Sequence, residues 1–150
     1  MKNEKIIKEL TTAYAMELET VQNYIAASVN LDGVRSDVIK KALAADVPTE
    51  LMHAQQIAAR IKTIGGIVPG SLALPRGQKM LQPKEDTTDV VSAIKGVIAA
   101  EEAAIAQYNK IIKLCDGTDY VTQDMAIGIL GGEEDHRREF MGFLKEYQKE

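Results

Sequence analysis

The amino-acid sequence predicts an all-α protein, a four-helix bundle built from two helix hairpins joined by a long crossover. Four segments show an apolar period near 3.6 residues, and none alternates with period two. Two of the joins between these segments are short, as in helix hairpins, whereas the middle join is long. Aromatic residues make up only 5% of the chain and tryptophan is absent, which favours helices over a β-sandwich.

The four predicted helices are similar in length and cover about residues 4–31, 36–64, 88–115 and 119–147. The expected N-caps are Ser36 or Asp37 for the second helix, one of residues 86–88 for the third and Thr118 for the fourth. The middle join contains four glycines and three prolines in residues 65–87, so no long helix fits there. It is long enough to travel along a bundle of roughly 40 Å.

Two irregularities fall inside the predicted helices. Pro48 lies midway along the second helix and is expected to kink or split it. The fourth helix contains Gly128, Gly131 and Gly132, each of which costs a helix about 1 kcal/mol relative to alanine. These glycines indicate either close helix packing or local unwinding beside a functional site.

Composition and charge exclude several classes of protein. The 150 residues suit a single domain, and the net charge of −4 disfavours a nucleic-acid-binding protein. Cys115 is the only cysteine, which excludes disulfides and cysteine-based metal sites. The N-terminal segment lacks the apolar stretch of a signal peptide, and no apolar run is long enough for a membrane span. We therefore expect a cytoplasmic protein that contacts neither membrane nor nucleic acid.

Both histidines of the chain follow a glutamate by three residues, as Glu50…His53 and Glu133…His136. Side chains at positions i and i+3 project from the same face of a helix. One such pair is a weak signal. The occurrence of both histidines in this spacing, on alternate helices, indicates a site to which two helices contribute a glutamate and a histidine each.

The first and third helices carry a second matched pattern, because Tyr24 follows Glu17 by seven residues and Tyr108 follows Glu101 by seven. Seven residues are about two helical turns, so each pair shares a face. Glu17 and Glu50 are 33 residues apart, and Glu101 and Glu133 are 32 apart. The chain is therefore interpreted as two copies of one hairpin. Each glutamate lies near its helix midpoint, which places the four glutamates at one level of the bundle.

The pattern predicts a two-metal site inside the bundle. The neighbours of these four glutamates on the same helix faces are mostly apolar, so their side chains are expected to point inward. Four buried carboxylates need compensating charge, which two divalent cations supply. Oxygen and imidazole donors suit iron or manganese, with zinc as a substitute. The expected ligands are Glu17, Glu50, His53, Glu101, Glu133 and His136.

These motifs resemble the ferritin-like superfamily over nearly the whole chain, in particular bacterioferritins and rubrerythrin-like proteins. Residues 17–24 resemble the first-helix motif of bacterioferritins, and residues 50–54 resemble the second-helix motif. The resemblance implies that Glu50 and Glu133 bridge two irons, with Glu17 and Glu101 as terminal carboxylates and the two histidines as nitrogen ligands. It further implies that Tyr24 lies near the metals, where it can hydrogen-bond a ligand or supply an electron, and that Tyr108 is its counterpart in the other half of the chain.

The chain departs from these relatives at two points. Leu51 stands where bacterioferritins carry a haem-ligating methionine, and Met52 follows one residue later, rotated about 100° around the helix. Haem binding is therefore not favoured, and Met52 is expected to fill the core. Only fourteen residues follow His136, so no fifth helix and no closed ferritin cage are expected.

The resemblance implies a di-iron oxidase. The leading hypothesis is a ferroxidase that oxidises Fe(II) with O2 or H2O2, for iron storage and defence against oxidative stress. The alternatives are a rubrerythrin-like peroxidase or oxidase with an external electron donor, and a non-catalytic bundle that metal stabilises. The acidic balance disfavours a DNA-protecting mini-ferritin. Ferritin-like chains normally associate, so a homo-oligomer is expected.

Overall fold

The computed structural model describes residues 3–149, which form four long α-helices with no β-strand and no fifth long helix. The helices are α1 (Glu4–Asn30), α2 (Asp37–Thr63), α3 (Val90–Cys115) and α4 (Tyr120–Tyr147). Their ends lie within about two residues of the predicted ones. The all-α four-helix architecture predicted from the sequence is therefore confirmed.

The helices pack as two hairpins. α1 packs along α2, α3 packs along α4, and α1 also contacts α3. Each hairpin join contains a glycine in the left-handed region, Gly33 with φ 95° and Gly117 with φ 74°. A side chain with a Cβ adopts this conformation only at a cost, so glycine allows each chain reversal to be short.

The N-caps of α3 and α4 differ from those predicted, whereas Ser36 stands at the N-cap of α2 as predicted. Asp89 caps α3 and Asp119 caps α4, each accepting a hydrogen bond from the backbone N–H three residues later, at 3.1 and 3.0 Å. The prediction of Thr118 was wrong because its hydroxyl donates to the carbonyl of Cys115. Ser36 precedes α2 but donates to the carbonyl of Asp32 and caps no N–H group.

The irregular residues leave α2 and α4 continuous. Pro48 does not split α2; it lies on the exposed side, where water can solvate the carbonyl that loses its partner. Nothing lies within 4 Å of a Cβ built on Gly128 or Gly131, so these two glycines serve no close packing. α4 shows no unwinding at any of the three glycines. Of the three, only Gly132 adjoins a predicted site residue, His53.

The buried apolar side chains form two clusters, one toward each end of the bundle. The first cluster contains Ile6, Leu10, Ala13, Ile57, Ile61, Tyr108, Ile111, Cys115, Ala126 and Ile129. The second contains Tyr24, Leu31, Ile39, Leu43, Leu81, Val90, Ile94, Val97, Ala100 and Phe140. All four helices contribute to both. The four glutamates lie between the clusters along their helices, so the core consists of two apolar parts separated by a polar layer.

Hydrogen bonds to Glu19 and from a buried glutamine, Gln78, hold the crossover against α1. Glu19 accepts hydrogen bonds from the backbone N–H groups of Gly77 and Gln78, at 2.8 and 3.1 Å. The Gln78 side chain donates to the Thr20 hydroxyl at 2.6 Å and accepts from the Asn23 amide at 3.0 Å. These bonds let an irregular segment with little apolar content lie against the bundle.

Gly96 allows the crossover to approach α3. A Cβ built on Gly96 would lie 2.3 Å from the backbone carbonyl oxygen of Met80. No neighbouring side-chain rotation relieves this overlap, because the clashing atom belongs to the backbone. The crossover would have to move away from α3, which would loosen the packing of Leu81 in the second cluster.

We expect Gly96→Ala to lower the free energy of unfolding by about 1–3 kcal/mol because the crossover is displaced. Gly128→Ala is the matched control, since it replaces an exposed helical glycine with open space around its Cβ. The control should stabilise the protein by up to about 1 kcal/mol through helix propensity. Thermal unfolding of both variants measures this difference. Equal Tm changes in the two variants would contradict the role given to Gly96.

Candidate metal centre

The four glutamates predicted as ligands come together in the polar layer of the bundle. Each comes from a different helix, and each is no more than 2% exposed. Both histidines lie in the same layer, with His53 buried and His136 partly buried. The structure therefore brings together all six of the predicted ligands, Glu17, Glu50, His53, Glu101, Glu133 and His136.

The six side chains form two overlapping groups of potential metal donors. One group consists of Glu17, Glu50, His53 and Glu133, and the other of Glu50, Glu101, Glu133 and His136. Within each group the donor atoms lie within 4.8 Å of one another. Glu50 and Glu133 belong to both groups. This arrangement suits two cations that share two carboxylates.

Unsatisfied buried atoms test whether the donor set fits a metal. Each of the six side chains has one buried atom that could bind a metal and that has no hydrogen-bond partner. These atoms include Nδ1 of His53 and His136 and Oε2 of Glu17 and Glu101. The His53 Nδ1 atom lies 3.2 Å from Glu133, and His136 Nδ1 lies 3.1 Å from Glu50, in both cases without hydrogen-bond alignment. Buried polar atoms in folded proteins are usually satisfied, so this cluster is built for a further partner. Oxygen and imidazole donors fit iron or manganese.

Without cations, protons must balance the charge of this layer. Burial raises the pKa of Glu17 to about 8, and neighbouring acids reinforce the shift. Burial also raises the pKa of Glu133. His136 has its pKa raised to about 10 by Glu101 and Glu50. Burial opposes the charging of His53, but Glu133 and Glu17 outweigh it and raise the pKa to about 12. The cluster therefore retains protons at neutral pH.

Two tyrosines cross-link the hairpins within this layer. Tyr108 on α3 donates to Oε1 of Glu17 on α1, and Tyr24 on α1 donates to Oε1 of Glu101 on α3, both at 2.5 Å. Burial and the adjacent carboxylates raise the pKa of both tyrosines, so the hydroxyls keep their protons. Each tyrosine thus holds one oxygen of a glutamate from the opposite hairpin and leaves Oε2 free.

One acidic residue of the site was missed by the sequence analysis. Asp46 lies one turn before Glu50 on α2, and its Oδ1 atom is 3.5 Å from Nε2 of His136. Its side chain is 15% exposed, and burial raises its pKa to about 6. The only available signal was its i−4 spacing from Glu50, which places the two acids on neighbouring parts of one face.

The prediction for Met52 was wrong. Its side chain is 49% exposed and does not fill the core, and that of Leu51 is also exposed. The inward face of this turn of α2 is occupied by Glu50 and His53, so the two residues between them face outward.

In the part of the chain described, residues 3–149, no helix is long and apolar enough to cross a membrane.

The comparisons with known proteins agree with this geometry. The family described as "Ferritin-like domain" matches residues 7–149. Bacterioferritin from Desulfovibrio desulfuricans is 30% identical over 134 residues, which cover 88% of this chain and 70% of that protein.

Two solved structures are similar in fold. The ferritin-like, diiron-carboxylate protein from Bacillus anthracis has a TM-score of 0.84 at 20% identity, covering 96% of this chain and 98% of that one. The bacterioferritin-related protein from Bacteroides fragilis, described as a dodecameric thioferritin, has a TM-score of 0.82 at 24% identity, with 96% and 86% covered. Because the family match spans nearly the whole described chain, the protein belongs to the ferritin-like family.

Proposed function

We propose that this protein is a di-iron ferroxidase that oxidises Fe(II) with O2 or H2O2 as the electron acceptor. The observation that carries the proposal is the set of six unsatisfied donor atoms in two overlapping groups. The similarity to a bacterioferritin at 30% identity supports the choice of iron. Bound iron supplies the Fe(II)/Fe(III) couple that passes electrons to the oxidant.

The donor groups suggest a role for each side chain. Glu50 and Glu133 belong to both groups and would bridge the two cations. Glu17 and His53 would complete one position, and Glu101 and His136 the other. Two divalent cations would balance the charge of four carboxylates, so occupancy would remove the need for protons in this layer.

The tyrosines would orient the terminal carboxylates. Tyr108 and Tyr24 bind Oε1 of Glu17 and Glu101, and the remaining Oε2 atoms are among those without a partner. Fixing one oxygen of a carboxylate reduces the motion that metal binding must arrest, which favours a preorganised site. The two apolar clusters lie on both sides of the layer and would limit the access of bulk water.

The test is anaerobic loading with Fe(II), followed by addition of O2 or H2O2. We expect about two Fe(II) ions per chain and their oxidation to Fe(III), measured by metal analysis and by absorbance. Glu101→Gln should reduce binding and slow oxidation by at least about tenfold, because one ligand charge is lost. Glu102→Gln is the matched control, since Glu102 is the adjacent residue and is exposed.

The same assay includes Tyr24→Phe, which removes only the hydrogen bond to Glu101 and should retain both irons while slowing oxidation.

A native protein that binds no iron would contradict the proposal. Iron that binds but is not oxidised by either oxidant would indicate a bundle that metal merely stabilises. Repeated peroxide turnover that requires an added electron donor would indicate a peroxidase.

Metal binding should stabilise the protein more as the pH rises. The pKa of Glu17 is raised from its ordinary value of 4.5 to about 8 in the folded, metal-free protein. Protonation of Glu17 therefore contributes fully to the free energy of unfolding below about pH 4.5, and this contribution is lost as the pH rises to about 8. The histidines keep their protons across this window. As the pH rises toward about 8, Glu17 loses its proton, so fewer protons compete with the cation for the ligand atoms.

We therefore expect the Tm gain produced by excess Mn(II) to be several degrees and to increase from about pH 6 to about pH 8. Thermal unfolding with Mn(II) and with a chelator at each pH measures this gain. Mn(II) is chosen because air oxidises it more slowly than Fe(II). A gain that stays constant or decreases as the pH rises would contradict the predicted proton displacement.

We also infer that the chain forms homo-oligomers through the α1–α2 hairpin. Val29 at the end of α1 and Val38 at the start of α2 are 70% and 54% exposed, and Leu51 and Met52 are exposed further along α2. Among the described residues, the α1–α2 hairpin exposes six large apolar side chains and the α3–α4 hairpin exposes four, so the first hairpin is the more apolar surface. Exposed apolar side chains are typical of an interface. The Bacteroides fragilis relative, described as dodecameric, supports self-association.

Sedimentation should therefore give a mass of at least twice 16.4 kDa. Val38→Glu should shift the protein toward smaller species, because it places a charge in the interface. Ile127→Glu is the control, since Ile127 is similarly exposed but lies on α4. A monomeric native protein would contradict the inference, as would an equal effect of the two substitutions.

A further inference from the structure

The two histidines of the site have different surroundings on the outer side of their rings. His136 directs Nδ1 toward Glu50, and its Nε2 atom lies 3.5 Å from Oδ1 of Asp46. The three carboxylates that contact His53 all approach Nδ1. Within residues 3–149, no carboxylate contact falls on Nε2 of His53. The outer edge of that ring instead adjoins α4 at Gly132, where a built Cβ would lie 4.0 Å from Nε2.

This difference breaks the internal repeat at one position. Asp46 precedes Glu50 by four residues, and the corresponding residue four before Glu133 is Ile129. Ile129 is 3% exposed and belongs to the first apolar cluster. One half of the repeat therefore supplies a carboxylate to a histidine of the other half, and the second half supplies an apolar side chain.

The chemistry of imidazole gives this asymmetry a consequence. When Nδ1 of a neutral histidine binds a cation, the ring proton must lie on Nε2. A carboxylate that accepts a hydrogen bond from this Nε2–H group selects the tautomer, fixes the ring orientation and makes Nδ1 a stronger electron-pair donor to the cation. Asp46 is placed to do this for His136 through Oδ1, and its Oδ2 atom is buried without a hydrogen-bond partner. Among the carboxylates of residues 3–149, none is seen to contact Nε2 of His53.

We propose that Asp46 is a positioning residue that acts through His136 and makes the two metal positions unequal, with the His136 position binding its cation more tightly. The proposal rests on the proposed function, because it requires a cation at each position. Asp46 itself need not contact either cation. It acts at a single histidine, so its loss should affect one position and spare the other.

The test is an anaerobic titration with Co(II), followed by visible absorption and by calorimetry. The native protein should show two binding steps of different affinity. Asp46→Ala should weaken the tighter step by about 10- to 100-fold and shift the absorption bands of the Co(II) bound in that step. The weaker step should remain unchanged. Should the alanine variant fail to fold, Asp46→Leu carries the same test, because leucine has a similar shape and no acceptor for the Nε2–H group of His136.

Two further variants assign the effect. Glu139→Ala is the control for charge, because Glu139 is exposed and acts on Asp46 only through its charge, without contacting His136. It should leave both steps unchanged. His136→Gln should remove the tighter step, and adding Asp46→Ala to it should have no further effect, since Asp46 acts through His136.

Equal weakening of both steps in Asp46→Ala, or no change in either, would overturn the proposal. So would a further loss when Asp46→Ala is added to His136→Gln. These results are distinct from failure of the proposed function, in which the native protein binds no cation pair or fails to oxidise Fe(II). Two equal native steps that Asp46→Ala leaves equal would overturn the asymmetry while the ferroxidase proposal stands.

Discussion

Four carboxyl groups lie in the middle of the helical core, where ionised groups are most costly to bury. Transfer of one carboxylate from water to a protein interior costs several kcal/mol even after relaxation, and the whole stability of an ordinary domain is about 5–15 kcal/mol. The remaining features of the layer compensate for this cost. Two histidines face the acids, two tyrosine hydroxyls donate to them, and the cluster retains protons at neutral pH. Cations would meet the same electrostatic demand and would leave no donor atom unpaired.

The part of this arrangement that sequence analysis could predict is the part that helical periodicity controls. Glu17, Glu50, Glu101 and Glu133 lie at the midpoints of four similar helices, so their level and facing follow from a rise of about 1.5 Å and a turn of about 100° per residue. Only part of the tyrosine contacts could be predicted from the sequence. Periodicity placed each tyrosine on the face of its own glutamate, but only the packing of α1 against α3 shows that each hydroxyl binds the glutamate of the other hairpin.

Features that depend on the path of irregular chain, or on contacts between helices, were not predictable in this way. Glu19 lies away from the metal face of α1, and only the course of the crossover shows that it binds the backbone at Gly77 and Gln78. Asp46 is one of several acids on α2, and its reach to His136 depends on how α2 and α4 lie side by side. Met52 was expected in the core because it is apolar. It faces outward because its neighbours Glu50 and His53 occupy the inward face of this turn of α2.

The division of the core into two apolar clusters has a mechanical consequence. Each cluster gathers side chains from all four helices near one end of the bundle, and the layer of acids and histidines lies between the two clusters. Opening of one end disrupts its own cluster and need not disturb the other. The polar layer therefore separates two packing units, and we expect backbone amides on its two sides to belong to different units of local unfolding. Cations bound in the polar layer would join these two units of local unfolding into one.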